Sequence, residues 1–215
     1  MKSSQVREQQ VPMESVYPMT ITSEYTFIKT NFTYLFFSHI AYMAFHLVLG
    51  IGFFKIVNRH KVLGRKNLLP LKKQGFITVA NHCHIFDTVL TGLSALPRRP
   101  WYASVQRNFE APYFRKMFRI LRGFPIPDGS IGLRRIIHPV VGAVKQGKIV
   151  HLFKPRKIFG KVRSKNILSI TSVIGEPIYP RVQTEEGQRV DLESVQEMCD
   201  TAQNWMMARV AEYHR

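Results

Sequence analysis

The stretch Gly75-Phe-Ile-Thr-Val-Ala-Asn-His-Cys-His-Ile-Phe-Asp87 decides the fold. Residues 75–80 form a largely apolar run of the kind that is typical of a short buried strand. Residues 88–96 are apolar and compatible with a helix. His82 is therefore predicted at a turn from a strand into a helix, where side chains project from the end of a sheet.

The rest of the chain alternates strands with helices. Further strands are predicted at residues 62–69 (with a turn), 101–105, 149–153 and 168–174, and an extended segment at 123–128. Helices are predicted at residues 113–121 and 131–146 and after Asp191, which is placed to cap the last one. Such alternation favours an α/β domain, a layered sheet flanked by helices. We divide the chain into a polar tail (1–24), a membrane-associating helical segment (25–57) and the α/β domain (58–215).

The net charge of +17 is concentrated in the middle of the chain. Residues 25–175 carry 25 Lys and Arg but only three acids, one of which is Asp87. Such a positive field favours an anionic partner: a nucleic acid, an anionic membrane surface or a phosphorylated substrate. The sequence has no RNA-recognition, KH, helix-turn-helix or zinc-finger pattern, so we expect no nucleic acid.

Residues 31–54 are 24 consecutive residues without a charge. As a helix, such a segment is long enough to span about 30 Å of hydrocarbon. Polar residues and glycines dilute it, so an interfacial anchor and a true span both stay open, with a wholly buried core helix as the third alternative. Basic residues follow directly, which predicts that this flank and the α/β domain face the cytoplasm. They are Lys55, Arg59, Lys61, Arg65 and Lys66.

The spacing Asn81-His82-x-x-x-x-Asp87 resembles the first motif of the glycerolipid acyltransferases, the lysophosphatidic acid acyltransferase family. Three further segments resemble blocks of that family: Val62-Leu-Gly-Arg-Lys-Asn-Leu68, Gly123-Phe-Pro-Ile-Pro127 and Gly175-Glu-Pro-Ile178. The resemblance extends over residues 31–210. It implies transfer of an acyl chain from acyl-CoA or acyl-ACP to the hydroxyl of a lysophospholipid, notably 1-acyl-glycerol-3-phosphate, in phospholipid biosynthesis and without a cofactor.

The resemblance makes His82 the general base and Asp87 the residue that orients it. Neutral imidazole suits proton removal from a hydroxyl near pH 7. A carboxylate on the second ring nitrogen fixes the tautomer and stabilises the imidazolium that forms, and Asn81 is expected to contact the substrate beside them. Two alternatives stay open: a turn histidine with a helix-capping Asp, and a metal site made of His82, Cys83, His84 and Asp87. Because no second ligand cluster follows, no metal is expected.

Basic residues before the second block are candidates for holding the acceptor's phosphate, since guanidinium groups suit bidentate phosphate contacts. They are Arg107, Arg115, Lys116, Arg119 and Arg122. The resemblance implies an Arg after Ile126, where this chain has Pro127-Asp128, and Arg122 is the substitute candidate. A charged helix face at a membrane surface is the alternative explanation.

The chain departs from the family after the predicted strand at 149–153. The family continues with Pro-Glu-Gly-x-Arg, whereas this chain continues with Lys154-Pro-Arg156 and a basic run. Two hypotheses follow. Either Lys154 and Arg156 supply the charge of the missing substrate-binding motif, or the chain is a shortened, catalytically inactive homologue that acts as a membrane-bound scaffold.

Overall fold

The computed structural model describes residues 19–81, 86–127, 129–154, 170–181 and 191–213, with the backbone alone for 129–133, 154 and 213. Its helices are α1 (Phe32–Phe45), which continues as a π-helix (His46–Val57), α2 (Asp87–Ala95), α3 (Pro112–Ile120), α4 (Gly129–Lys145) and α5 (Leu192–Tyr213). Its strands are β1 (Lys61–Leu63), β2 (Phe76–Asn81), β3 (Trp101–Val105), β4 (Gly123–Ile126), β5 (Ile149–Lys154) and β6 (Thr171–Val173). Two short 3-10 helices cover Arg65–Leu68 and Gln106–Phe109.

Four strands form one parallel sheet in the order β2-β5-β3-β4. A helix follows each of β2, β3 and β4 before the next strand of the sheet, because parallel neighbours need a crossover connection. Strands β1 and β6 pair separately, also in parallel. The predicted α/β class is confirmed in this form: parallel strands alternate with helices.

Most of the predicted elements are observed with small shifts at their ends. The strand predicted at 75–80 is β2, and the helix predicted at 88–96 is α2. Asp191 accepts a hydrogen bond from the backbone N–H of Glu193 at 3.2 Å and so caps α5 as predicted. The strand predicted at 168–174 is shorter, Thr171–Val173, and residues 168 and 169 lie outside the described residues.

The larger core cluster lies between β3, β5 and α4. Trp101 of β3 and Val150 of β5 are fully buried and pack in one cluster with Val140 and Ala143 of α4. Phe27, which precedes α1, joins the same cluster. The burial of these side chains holds α4 against the sheet.

The segment before α1 packs on this core. Met19 is buried, and its carbonyl accepts a hydrogen bond from Gln106 Nε2 at 2.6 Å. The carbonyl of Ile21 accepts one from Arg135 Nη1 at 2.9 Å. The described part of the predicted polar tail, residues 19–24, therefore contacts the domain.

Residues Phe32–Val57 form a continuous helix, here called the apolar helix, whose most apolar 18-residue window has a mean hydropathy of 1.9, so it is long and apolar enough to cross a membrane. Only 22% of its most apolar window is buried, so the alternative of a wholly buried core helix is wrong. Its buried positions recur every fourth residue: Ser38, Tyr42, His46, Gly50 and Phe54. Its other side exposes apolar residues that include Phe36, Ile40, Met43, Leu47, Val48, Ile51 and Ile56.

The π-helical half explains how the buried stripe stays straight. In an α-helix, four residues overshoot one turn by about 40°, so a stripe at every fourth position rotates away from its partner. The i to i+5 bonding of the π-helix widens each turn from His46 onward, which counters that drift. The stripe therefore faces the domain along the length of the apolar helix.

Two glycines allow the apolar helix to approach α2 closely. A Cβ on Gly50 would lie 2.6 Å from Leu93 Cδ2. A Cβ on Gly92 would lie 2.6 Å from the Tyr42 hydroxyl and 2.9 Å from that of Tyr102. Those two hydroxyls hydrogen-bond each other at 2.9 Å, so the apolar helix is joined to the sheet beside α2.

Candidate functional site

The predicted catalytic pair lies in and after the connection that leaves the carboxyl end of β2. Asn81 is the last residue of β2, and Asp87 is the first residue of α2. Residues 82–85 lie outside the described residues, so His82 is located here only as the next residue after Asn81. Ligands of open α/β sheets bind beyond the carboxyl ends of the strands, which is the edge where β2 ends at Asn81.

Asp87 begins α2 and is half-buried. A carboxylate in the first turn of a helix is stabilised by the partial positive charge of the helix N-terminus. This position fits a helix-capping Asp and also fits a carboxylate that orients an imidazole in the preceding turn. Both readings made from the sequence remain open.

Phe86, which directly precedes α2, contacts the apolar helix. The ring of Phe86 lies 5.3 Å from that of Phe54, centroid to centroid, at an interplanar angle of 61°. Phe54 is fully buried and packs with Val89 and Leu90 of α2. The entrance to α2 is therefore fixed against the carboxyl end of the apolar helix.

Lys154 lies at the same edge as Asn81. The two residues are register partners at the ends of β5 and β2, so their backbones are about 4.8 Å apart. The structure thus brings together two of the predicted substrate-binding residues. Arg156 lies outside the described residues.

Arg122, the candidate for the Arg that the resemblance implies after Ile126, lies at the amino ends of the strands, opposite to Asn81. Arg122 directly precedes β4 and is level with Trp101 of β3. Trp101 pairs with Val150 of β5, and Val150 pairs with Ile77 of β2, so Arg122 is level with Ile77. Asn81 is four residues beyond Ile77 on β2, and β2 is three strands away from β4. The backbones of Arg122 and Asn81 are therefore separated by roughly 13 Å along the strands and 14 Å across them. One acceptor phosphate does not reach both Arg122 and a group beside Asn81.

The Arg122 side chain is buried under the apolar helix. Its guanidinium lies over the ring of Trp101, 5.5 Å from the centroid, and Nη1 donates to the carbonyl of Arg99 at 3.1 Å. Burial, together with the nearby charge of Arg99, lowers the pKa of Arg122 to about 10. Arg122 is a desolvated cation.

Two other candidates for phosphate contact are used by the fold itself. Arg119 donates to the carbonyls of Phe27 at 2.6 Å and Thr26 at 2.8 Å. Arg115 Nε donates to the carbonyl of Phe109 at 2.5 Å. These arginines hold the ends of neighbouring segments.

Among these basic residues, Arg107 is the candidate for phosphate contact that the strand topology favours. It follows β3 in the 3-10 helix Gln106–Phe109, and its side chain is exposed. Val105, the last residue of β3, is level with Lys154 of β5, because Trp101 pairs with Val150. Arg107 therefore emerges at the edge that carries Asn81 and Lys154. The sequence indicates this position, because Arg107 follows the predicted strand 101–105 just as His82 follows the predicted strand 75–80.

A polar line crosses the buried face of the sheet. Thr78 Oγ1 and His151 Nδ1 are 2.7 Å apart, and the rings of His151 and Tyr102 are neighbours at 5.9 Å. Burial raises the pKa of Tyr102 well above its usual value. Because Tyr102 bonds Tyr42, this line connects β2 to the apolar helix.

A metal centre has no further support in the described residues. They contain no group of three or more His, Cys, Asp and Glu side chains suited to one ion. Three of the four residues in the metal hypothesis, His82, Cys83 and His84, lie outside the described residues.

Comparison with known proteins gives no relative: no family model, no curated protein and no solved structure matches the chain. The resemblance to the glycerolipid acyltransferases therefore rests on the residues and their order alone.

Proposed function

We propose that the protein is a membrane-associated acyltransferase of the glycerolipid type, with His82 as general base and Asp87 as its orienting partner. The observation that carries the proposal is the connection from Asn81, at the carboxyl end of a parallel strand, to Asp87, at the start of the next helix. The connection leaves the carboxyl end of the strand, and substrates of α/β proteins bind at that end of the sheet.

The reaction follows from these two side chains. His82 takes the proton from the lysophospholipid hydroxyl as its oxygen attacks the thioester carbonyl of acyl-CoA or acyl-ACP. The Asp87 carboxylate stabilises the imidazolium that forms. When the tetrahedral intermediate collapses, the imidazolium gives the proton to the departing thiolate, and the products are the diacyl lipid and the free thiol.

The acceptor's phosphate is held by cations of the same sheet edge. Lys154 and Arg107 support this part of the proposal, since β5 and β3 end level with β2. Arg107 replaces Arg122 in this role, and Arg156 follows Lys154 by two residues. Asn81 supplies a polar contact beside the base.

The apolar helix is proposed to lie in the membrane interface. Its buried stripe faces the domain while its other side exposes apolar residues, and a helix held along its length against a soluble domain is not free to span a bilayer. The basic residues after it favour an anionic, cytoplasmic surface. A layered arrangement of sheet and helices also belongs to the proposal, supported by the contact of β3 with α4 through Trp101 and with the apolar helix through Tyr102.

A catalytically inactive scaffold is the second candidate function. It is favoured by one observation, the absence of Pro-Glu-Gly-x-Arg after β5. The scaffold keeps the fold and the membrane contact but transfers no acyl chain.

The experiment that separates the two supplies purified protein in neutral vesicles with radiolabelled acyl-CoA or acyl-ACP and 1-acyl-glycerol-3-phosphate. The enzyme forms labelled diacyl product and free thiol in equal amounts, above a heat-denatured control. A scaffold forms neither product with either donor.

A further inference from the structure

A buried cation lies at the sheet edge opposite the proposed active site. Arg122 is only 8% exposed, and its backbone has a φ of 69°, a left-handed conformation that few residues other than glycine adopt. In the part of the chain that the structure describes, neither Arg122 Nε nor the neighbouring Trp101 Nε1 has a hydrogen-bond partner. Two neighbouring side chains thus each carry a buried donor without an acceptor.

Among the described residues, no carboxylate compensates the charge of Arg122. The ionisable groups that act on it are Arg99, a like charge, and the neutral Tyr34, Tyr42 and Tyr102, with no carboxylate among them. A buried charge without a counter-ion is costly, so an anionic ligand at this place would stabilise the folded state.

Arg98 shows what a purely structural arginine looks like in this fold. Its guanidinium donates to the carbonyls of Leu71 at 2.7 Å, Gln74 at 2.7 Å and Gly147 at 2.6 Å. Within the described residues, Arg122 makes one such bond, to the carbonyl of Arg99. The difference leaves Nε of Arg122 as a donor for a ligand.

A second guanidinium and an imidazole extend this cluster to the surface. Arg99 is half-buried, and its Nη1 contacts Nδ1 of His39, which is exposed on the apolar helix. Phe36, Ile40 and Met43 surround His39 on that exposed side. The cations therefore lie beside an apolar surface that suits acyl chains.

We propose that Arg99 and Arg122, with His39 at the rim, bind the phosphate of an anionic phospholipid whose acyl chains lie along Phe36, Ile40 and Met43 of the apolar helix. Guanidinium groups match the geometry of phosphate oxygens, and the bound lipid neutralises the buried charge. This lipid is distinct from the acceptor, because it binds at the opposite edge of the sheet. The inference rests on the proposed membrane association and not on acyl transfer.

Trp101 is a built-in reporter of this site. The chain has two tryptophans, so Trp205→Phe leaves Trp101 alone under the Arg122 guanidinium. The full chain with this substitution is bound to neutral phosphatidylcholine vesicles, and phosphatidic acid is added in increasing mole fraction. We expect a saturable change in Trp101 emission.

Three variants in that background locate the site. Arg99→Gln and Arg122→Gln should each need about 10-fold more phosphatidic acid for the half-maximal change, because each removes a charge-assisted contact. Lys72→Gln removes one exposed charge near the start of β2, at the same sheet edge, and should shift the midpoint by less than about 3-fold. Circular dichroism checks that each variant folds. If Arg122→Gln does not fold, Arg99→Gln is compared with Lys72→Gln, because Arg99 is half-exposed and its substitution disturbs the core less.

Each contrary result has a distinct meaning. If Lys72→Gln and Arg99→Gln shift the phosphatidic acid midpoint equally, the response comes from the overall positive charge of the surface, and the proposed site is wrong. The same emission change with inorganic phosphate, without vesicles, overturns the lipid as the ligand. An unresponsive Trp101 on vesicles that still bind the protein overturns the site while leaving membrane association intact, and no binding to vesicles rejects both.

Discussion

Asn81 and Lys154 end two neighbouring parallel strands at the same register position. Residues 73 positions apart in the sequence thereby share one edge of the sheet with Arg107. If this edge of the sheet holds the acceptor's phosphate, substitution of Lys154 or Arg107 should weaken binding of the acceptor.

Lys154→Gln should raise the KM for the lysophospholipid acceptor by about 10-fold, because one charge-assisted phosphate contact is lost. The turnover number should change much less. Lys148→Gln removes the same charge just before β5, at the other end of that strand, and should leave the KM unchanged. Equal effects of the two substitutions argue against a localised phosphate site.

Arg107→Gln and Arg99→Gln separate the two edges of the sheet. In neutral detergent micelles, Arg107→Gln should raise the acceptor KM by about 10-fold, whereas Arg99→Gln should leave it within about 2-fold. Initial rates across acceptor concentrations measure both. The reverse ranking restores the original assignment of the phosphate to the Arg122 side.

The sequence predicted β2 and α2, because a short apolar run between Gly75 and Asn81 is typical of a strand and the apolar segment after Asp87 is compatible with a helix. The turn predicted between them lies outside the described residues. It did not predict that β5 lies between β2 and β3, since strand order depends on contacts that no local pattern encodes. For the same reason Arg122 was favoured over Arg107: both are near the second block in sequence, and only the register separates their edges. The roles of His82 and Arg156 stay predictions.

Gly92→Ala should destabilise the protein by about 1–3 kcal/mol, since its methyl group overlaps the hydroxyls of Tyr42 and Tyr102. Gly142→Ala is the matched control, because a Cβ there meets no atom within 4 Å. The control should be neutral or stabilise α4 by up to about 1 kcal/mol. Urea unfolding of both variants measures the difference, and a Gly92→Ala variant as stable as wild type contradicts the close packing.

His60 should make the protein less stable in mild acid. Its Nε2 lies 2.8 Å from Ser172 Oγ between β1 and β6, and burial lowers its pKa. The neutral ring is therefore favoured in the folded state. Its contribution is complete above the unfolded pKa of about 6.5 and is lost as the pH falls toward the lower folded value.

The pH effect is measured as the unfolding free energy between pH 7.5 and 5. His60→Gln should flatten the decrease relative to wild type, while substitution of the exposed His138 by Gln should not. Parallel curves for wild type and His60→Gln exclude His60 as the source.

Leu47→Glu should move the protein from the membrane fraction to the supernatant. Leu47 is 63% exposed on the apolar helix, and a carboxylate there opposes burial in lipid. Met207→Glu places the same charge on an exposed apolar residue of α5 and should not alter partitioning. Flotation with vesicles measures both; retention of Leu47→Glu on the vesicles contradicts membrane contact through this face.

The central claim is that the imidazole of His82 removes the hydroxyl proton of the acceptor. It is tested most directly by comparing acyl transfer by wild type, His82→Ala and His84→Ala under identical conditions. We predict that His82→Ala is about 10²–10⁴-fold slower than wild type, whereas His84→Ala stays within about 10-fold. Equal rates for wild type and His82→Ala would contradict the account.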